Sequence, residues 1–287
     1  MESNVYIDTE VSTEEFYKYE RSIQVRLDGF SFSIIDGTKE IPSIIAYGEE
    51  MVVATPLPLL SVELERWIQT LPFLNEEFKR TTIVFDLDRV ITLPVDLFNP
   101  DDVSSYCRLH FPDFNEQMDY CVWSQPYGSR WGSLFVIPIS IVDVLKHYFE
   151  QVHLVHSQTV MYQMKRYLPL QSEPIVLVSK RRSSMDVMIF DDHQELKFVN
   201  RFVINGTMDI PYYIISAIDS LSLKVEKVDV LIMGDANPKE EGVLFLQRQC
   251  NNIRFFNGGI RFDGMNYLDD SPDYVRMPFL SVFRCEL

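Results

Sequence analysis

An α/β protein built from two similar halves is the fold class this sequence predicts, and three observations carry the prediction. Apolar residues fall in short runs of strand length, separated by stretches with apolar residues three and four apart. The order of these runs across residues 22–85 returns across residues 174–233. The composition, 46% hydrophobic and 24% charged over 287 residues, is that of a globular chain long enough for two ordinary domains.

Taken in order, residues 1–20 are polar, acidic and aromatic and read as an N-terminal tail or a docked helix. Ser22–Leu27 and Phe30–Ile35 are alternating apolar runs around Asp28-Gly29, the pattern of a β-hairpin. A third run, Ile41–Tyr47 or Met51–Ala54, continues them as an antiparallel meander. Leu60, Leu64, Trp67, Ile68 and Leu71 have helical spacing between Pro58 and Leu74, and Thr81–Phe85 is a short buried strand. Arg89–Phe98 reads as extended, Asp101–Phe111 as a short helix, and Asp119–Pro138, rich in Tyr, Trp and Gly, as strands with loops. An inserted subdomain is therefore expected at about 99–135. Ile139–Val152 is an amphipathic helix and His153–Val160 a strand, followed by a helix or linker to Leu170.

The second half opens with three runs, Pro174–Val178, Asp186–Phe190 and Leu196–Ile204, with Asp191-Asp192-His193 turning between the second and third. Ile210–Leu223 has helical spacing, with Asp209 as its cap. Val228–Met233 is a buried strand ending at Gly234-Asp235, Glu240–Cys250 a helix, and Asn252–Phe256 a final strand. Three meandering strands, a helix, a strand, a helix and a strand describe a ribonuclease-H-like unit. Meeting that order twice predicts a duplication, with halves at 21–170 and 171–287, although letter-by-letter identity between the two is negligible.

Charge and composition exclude several classes. The net charge of −16 repels phosphate backbones and anionic lipid surfaces, so neither nucleic acid nor membrane is an expected partner. Lys180-Arg181-Arg182 is the one compact basic cluster and reads as a solvated turn. The most apolar stretch, Leu134–Leu145, is short and contains Pro138 and Asp143, whereas a spanning helix needs about 20 apolar residues. Met1-Glu2-Ser3-Asn4 does not open a signal peptide, and Cys107, Cys121, Cys250 and Cys285 form no CxxC pair. The expected compartment is the cytoplasm, with reduced thiols. His153 and His156 would project to opposite faces of a strand and share no metal. The GxSxG, P-loop and GxGxxG motifs are absent. Trp123, Tyr127 and Trp131 form an aromatic segment that suits either a subdomain core or a partner surface.

The run Arg26-Leu27-Asp28-Gly29-Phe30-Ser31-Phe32-Ser33-Ile34, the double meander and the strand ending in Gly234-Asp235 together resemble a known group. It is the family of Bacteroidetes proteins that has an actin-like ATPase fold and carries a domain-of-unknown-function label. The resemblance covers nearly the whole chain after residue 20 and is most specific at the opening motif. It implies two ribonuclease-H-like halves facing a cleft. In actin-like ATPases, small residues of the first hairpin let backbone N–H groups approach the phosphates, and a carboxylate helps place a hydrated magnesium ion. The resemblance gives those parts to Asp28, Gly29, Ser31 and Ser33, with ATP and magnesium as the implied cofactor. Gly234, Asp235 and Asn237 take the nucleoside side. Ser179-Lys180-Arg181-Arg182-Ser183-Ser184 stands where a second acidic, glycine-containing turn belongs, and one glycine remains of the nucleoside-side pair. The implied protein is therefore non-catalytic or weakly nucleotide-binding and acts through an unknown protein partner. An active ATPase or sugar-kinase-like phosphotransferase is the alternative. Turn chemistry alone also accounts for Asp28-Gly29, and a tight strand exit for Gly234-Asp235.

A rival motif set belongs to another class. Ile83-Val84-Phe85-Asp86-Leu87-Asp88 resembles the opening of haloacid-dehalogenase-type phosphatases, where one Asp attacks phosphorus and the other transfers a proton. Ser179, Lys180 and Asp235 follow in the right order. Arg89, however, stands where a glycine normally follows, and the strand meander before residue 80 would have no place in such a core.

Overall fold

The structure, a computed structural model, describes residues 4–52, 55–167, 173–256, 261–264 and 273–284. The chain divides into two compact units, one of Met1–Gln163 with Arg261–Asp270 and Val282–Leu287, the other of Met164–Ile260 with Ser271–Ser281.

In the first unit, β1 (Asn4–Ile7), β2 (Glu20–Arg26), β3 (Gly29–Asp36) and β4 (Ser43–Met51) precede α1 (Leu60–Thr70) and β5 (Arg80–Asp86). Next come β6 (Val90–Pro94), α2 (Val103–His110), β7 (Asp119–Ser124), β8 (Trp131–Pro138), α3 (Ile139–Tyr148), β9 (His153–His156) and α4 (Ser157–Gln163). The main sheet has the order β1-β4-β3-β2-β5-β9. Its meander is antiparallel, whereas β5 runs parallel to both β2 and β9.

The second unit repeats this plan with β10 (Ile175–Lys180), β11 (Ser184–Phe190), β12 (Leu196–Val203), α5 (Asp209–Ser220), β13 (Asp229–Gly234), α6 (Glu241–Gln249) and β14 (Asn252–Phe255). Its sheet order is β12-β11-β10-β13-β14, and α7 (Asp273–Leu280) lies against β13. With β1 set aside, both sheets arrange their own strands in the same order: third, second, first, fourth, fifth. The duplication expected from the order of apolar runs is thus present in the strand topology.

Each sheet has a core because period-2 alternation turns one set of side chains toward helices. In the first unit Ile23, Val25, Phe30, Phe32, Ile83 and Phe85 pack with Leu64, Trp67, Ile141 and Leu145 from α1 and α3. Trp67 is 2% exposed and stacks on Phe30 at 5.4 Å between ring centroids. In the second unit Val176, Val178, Val187, Val230 and Ile232 pack with Ile214, Ile218 and Leu246 from α5 and α6. The opposite face of the first sheet is polar yet buried: Ser22, Gln24 and Arg26 of β2 stand beside Ser31 and Ser33 of β3.

Four local outcomes differ from the sequence reading or resolve it. Of the two readings of the N-terminal residues, tail or docked helix, residues 4–18 supply the edge strand β1 and a short docked helix over Thr13–Lys18 whose Phe16 is buried. The third meander strand is Ser43–Met51, spanning the gap between the two alternatives. The first hairpin turns on Leu27-Asp28, with Gly29 already paired to Arg26 as the first residue of β3. A Cβ at Gly29 would stand 2.4 Å from the Glu50 carbonyl oxygen, so the close approach of β4 requires glycine there. Finally, β9 stops at His156, because that buried ring anchors the chain as it turns. Its Nε2–H donates to the Leu87 carbonyl at 2.9 Å, and its Nδ1 accepts from the Gln158 N–H at 3.2 Å.

Residues 90–138 form a three-stranded sheet, β6-β8-β7, with α2 and a small core of Cys107, Phe111, Leu134 and Val136. Trp123 lies flat on Phe98, with 3.7 Å between centroids. Among the described residues no helix is long and apolar enough to cross a membrane. Replacing Trp67 by Ala should leave a large void beneath the first sheet. The expected cost is about 3–5 kcal/mol, read as a lower urea midpoint for loss of near-UV circular dichroism.

Candidate functional site

β2 and β5 run in parallel register, which brings Arg26 level with Asp86 at their carboxyl ends. Arg26 is 5% exposed, so its charge requires partners within the fold. Its Nε lies 3.2 Å from Asp28 Oδ1 and one terminal nitrogen 2.5 Å from Glu49 Oε1. The same nitrogen is 3.4 Å from Met51 Sδ. Burial pushes the Arg26 pKa down, but Glu49, Asp28 and Asp86 outweigh it and raise the value above that of an ordinary arginine. Asp86 is nearly buried and accepts from Ser157 Oγ at 3.0 Å. One guanidinium thus serves several carboxylates at the ends of the two parallel strands.

The other residues expected in the first half lie in β3 and in the turn before it. Ser31 is buried in the sheet, and its Oγ has no hydrogen-bond partner among the described residues. Ser33, also buried, shares a hydrogen bond of 2.7 Å with Ser22. The turn is fastened to the chain after β4, since the Leu27 and Asp28 carbonyls accept from the Thr55 and Val52 N–H groups at 2.8 and 2.9 Å.

In the second unit Lys180 pairs with Gly234 across β10 and β13. Lys180 and Arg181 are 7% and 6% exposed, which corrects the expectation of a solvated basic turn; only Arg182 of the three is exposed. Lys180 Nζ donates to the Asp235 carbonyl at 2.9 Å and lies 3.6 Å from Glu240 Oε2. The Asp235 N–H in turn donates to the Lys180 carbonyl at 2.9 Å. Gly234 has φ +84°, and a Cβ there would meet the Lys180 carbonyl oxygen at 2.1 Å, so this glycine is set by the approach of β10. Asn237 Oδ1 accepts the Lys239 N–H at 2.9 Å, and its carbonyl accepts the Glu240 N–H at 3.0 Å, shaping the entry to α6. Asp186, the first carboxylate after the β10–β11 turn, is held by Arg201 through contacts of 3.0 and 2.5 Å between buried groups.

The sequence reading gave no role to Arg26 or Arg201. The signal for Arg26 was a charge at the end of an alternating strand, in phase with Ser22 and Gln24. The phosphatase arrangement is overturned by topology: Asp86 belongs to the first sheet, whereas Ser179, Lys180 and Asp235 belong to or directly follow strands of the second. Asp88 lies beyond the end of β5 and is exposed. Arg89, where that motif has glycine, is bonded to both Asp119 oxygens at 2.8 Å. Among the described residues no group of three or more His, Cys, Asp or Glu side chains could hold a metal ion.

Two ribonuclease-H-like sheets, each with charged groups at the carboxyl ends of its central parallel pair, define a protein of the actin-like ATPase fold. The chain belongs to the family described as "Protein of unknown function (DUF3822)", which matches residues 8–253. It is similar to a Bacteroides thetaiotaomicron protein described as having an actin-like ATPase fold and unknown function. The two share 18% identity and a TM-score of 0.80 over 96% of this chain and 99% of that one. A PilM–PilN type IV pilus biogenesis complex has 12% identity, a TM-score of 0.49 and coverage of 92% and 96%. An exopolyphosphatase from Cytophaga hutchinsonii has 9% identity, a TM-score of 0.42 and coverage of 75% and 66%. No curated protein matches the chain.

Arg26→Met should destabilise the protein by about 2–4 kcal/mol because it leaves carboxylates facing a partly buried site without their cation. Adding Asp28→Asn should recover part of that loss in a double-mutant cycle of urea midpoints. Asp119 makes a separate prediction. Burial alone would raise its pKa, but the Arg89 donors and the Asn115 N–H hold it below the usual carboxylate range. Its stabilising contribution is therefore complete above the unfolded value of about 3.9 and lost as pH falls through the folded value. Asp119→Asn should be less stable than the parent at pH 7, and the gap should shrink on acidification below about pH 4.

Proposed function

We propose that this chain is a non-catalytic or weakly nucleotide-binding protein of the bacterial cytoplasm that acts through a protein partner. One observation carries the reading: the Asp28 carboxylate is joined to the buried Arg26 guanidinium at 3.2 Å. A carboxylate that places a hydrated magnesium ion must offer its lone pairs to the metal's waters, and a fixed cation beside it opposes the metal's charge. Asp28, Gly29, Ser31 and Ser33 therefore do not fit magnesium-dependent hydrolysis. Gly234, Asp235 and Asn237 fit a tight strand exit that seats Lys180 as well as they fit a nucleoside. The partner half of the proposal draws on large apolar side chains exposed in the segment from β6 to β8 and its connections. Leu97, Leu109, Met118 and Tyr127 are each at least 65% exposed, more than solubility alone favours.

Thermal unfolding with millimolar Mg·ATP, ADP or AMP tests this directly. Ligand at 100 times its dissociation constant would stabilise the native state by about 2.7 kcal/mol. The expected result is little or no rise in midpoint and no phosphate release. A clear rise with Mg·ATP that Asp28→Ala abolishes, accompanied by turnover, would establish an active ATPase or sugar-kinase-like phosphotransferase in its place.

A further inference from the structure

The segment between β5 and α3 brings two of the chain's four cysteines together. Cys107 in α2 and Cys121 in β7 are free thiols with their Sγ atoms 3.0 Å apart. An S–S bond is about 2.05 Å long, so an approach of about 1 Å would join them. Their surroundings differ. Cys107 is fully buried against Phe111, Leu134 and Val136. Cys121 is half-buried and lines a groove of about 520 Å³ between residues 120–125 of β7 and its exit and residues 152–155 around β9. Cys121 is thus the more accessible of the two.

Charge follows the same asymmetry. The hydrogen bond from the Cys107 thiol favours the thiolate on Cys121 and lowers its pKa against the effect of burial, while Cys107 is raised by that bond and by burial. Arg89 favours the thiolate at both positions and Asp119 opposes it, more strongly than Arg89 does at Cys121.

We propose that Cys107 and Cys121 are a peroxide-sensitive thiol pair that closes reversibly into a disulfide tying α2 to β7. The Cys121 thiolate attacks one oxygen of a hydroperoxide. An S–O bond forms, the O–O bond breaks, and the departing oxygen takes a proton to leave as water or an alcohol. The Cys107 sulfur then attacks the sulfenic acid sulfur. The S–S bond forms, the S–O bond breaks, and the hydroxyl leaves as water with the Cys107 proton. Two thiols lose two electrons in all, and the peroxide gains them. Closure pins the segment from the end of α2 to the start of β7, which carries Leu109, Met118 and Tyr120, all exposed apolar side chains, so oxidation fixes the backbone presenting them. The inference stands independently of any nucleotide site.

The test treats the full purified chain with stoichiometric hydrogen peroxide, alkylates the remaining thiols under denaturing conditions and maps the peptides by mass. Two of four thiols should become unreactive, and a peptide lighter by two hydrogen atoms should link Cys107 to Cys121. Dithiothreitol should restore all four, and the oxidised form should unfold at higher temperature than the reduced one. In Cys107→Ser, Cys121 should stop at a sulfenic acid that dimedone traps; in Cys121→Ser, Cys107 should keep its thiol. A disulfide involving Cys250 or Cys285, a link between two chains, or Cys107 still alkylatable after peroxide has oxidised Cys121 would each overturn the proposal.

Discussion

A guanidinium removed from water must be neutralised where it stands, and Arg26 imposes that constraint on the first unit. Leaving such a charge buried without partners costs several kcal/mol, more than most single packing contacts return. The chain answers with Asp28 from the turn two residues later and Glu49 from β4. These partners fix local geometry in two directions. Asp28 can reach back only if the hairpin turns on Leu27-Asp28, and Glu49 can reach across only if β4 keeps its register against β3, with Ser31 opposite Glu49. Gly29 follows from the same register, because β4 then brings the Glu50 carbonyl where a Cβ would stand.

Arg21 shows a second way of burying the same group, five residues earlier on the opposite face of β2. Its guanidinium lies 4.4 and 4.2 Å from the rings of Phe78 and Phe149 and donates to the Leu74 carbonyl and to Thr81 Oγ1. Burial, with no carboxylate paired to it among the described residues, pushes its pKa down to about 9. Aromatic faces and neutral acceptors stabilise the cation without making it a centre of attraction for acids. The contrast identifies what distinguishes the Arg26 end of the strand, which is the convergence of carboxylates on one cation.

The architecture was legible because its signals are periodic and local. Alternation in Ser22–Leu27 and Phe30–Ile35, unbroken apolar runs at β5 and β13, and helical spacing in Leu60–Leu71 each depend on a few neighbouring residues. The candidate site was less legible because its contacts are long-range. That Asp186 is held by Arg201, or that Lys180 sits beneath Asp235, depends on which strands become neighbours, and periodicity does not state that. Lys180-Arg181-Arg182 looks like a solvated turn in the sequence because charge runs usually are. It is a mostly buried turn because β10 is the central strand of its sheet, with β11 and β13 closing both sides. Likewise His156 ends β9 through contacts to Leu87 and Gln158, neither of which interrupts the apolar pattern.

The two units share no motif but meet the same topological circumstance. In each, the first strand turns back into a hairpin at its carboxyl end while the adjacent parallel strand leaves in another direction. Such a divergence exposes backbone groups and opens space for polar side chains, which is why ligand sites in α/β sheets favour these ends. Here the two openings are filled in different ways. In the first unit a cation from β2 draws in Asp28 and Glu49; in the second, a cation from β10 is held by the Asp235 carbonyl and Glu240. In both, a glycine sits where the neighbouring backbone comes too close for a Cβ, at Gly29 and Gly234. Glycines and charges at these positions can therefore arise from closing a strand end. A nucleotide-site assignment needs evidence beyond their presence: a carboxylate left free for metal, or backbone N–H groups left unpaired. The Asp28 carboxylate is ion-paired with Arg26, and the Asp235 N–H donates to the Lys180 carbonyl.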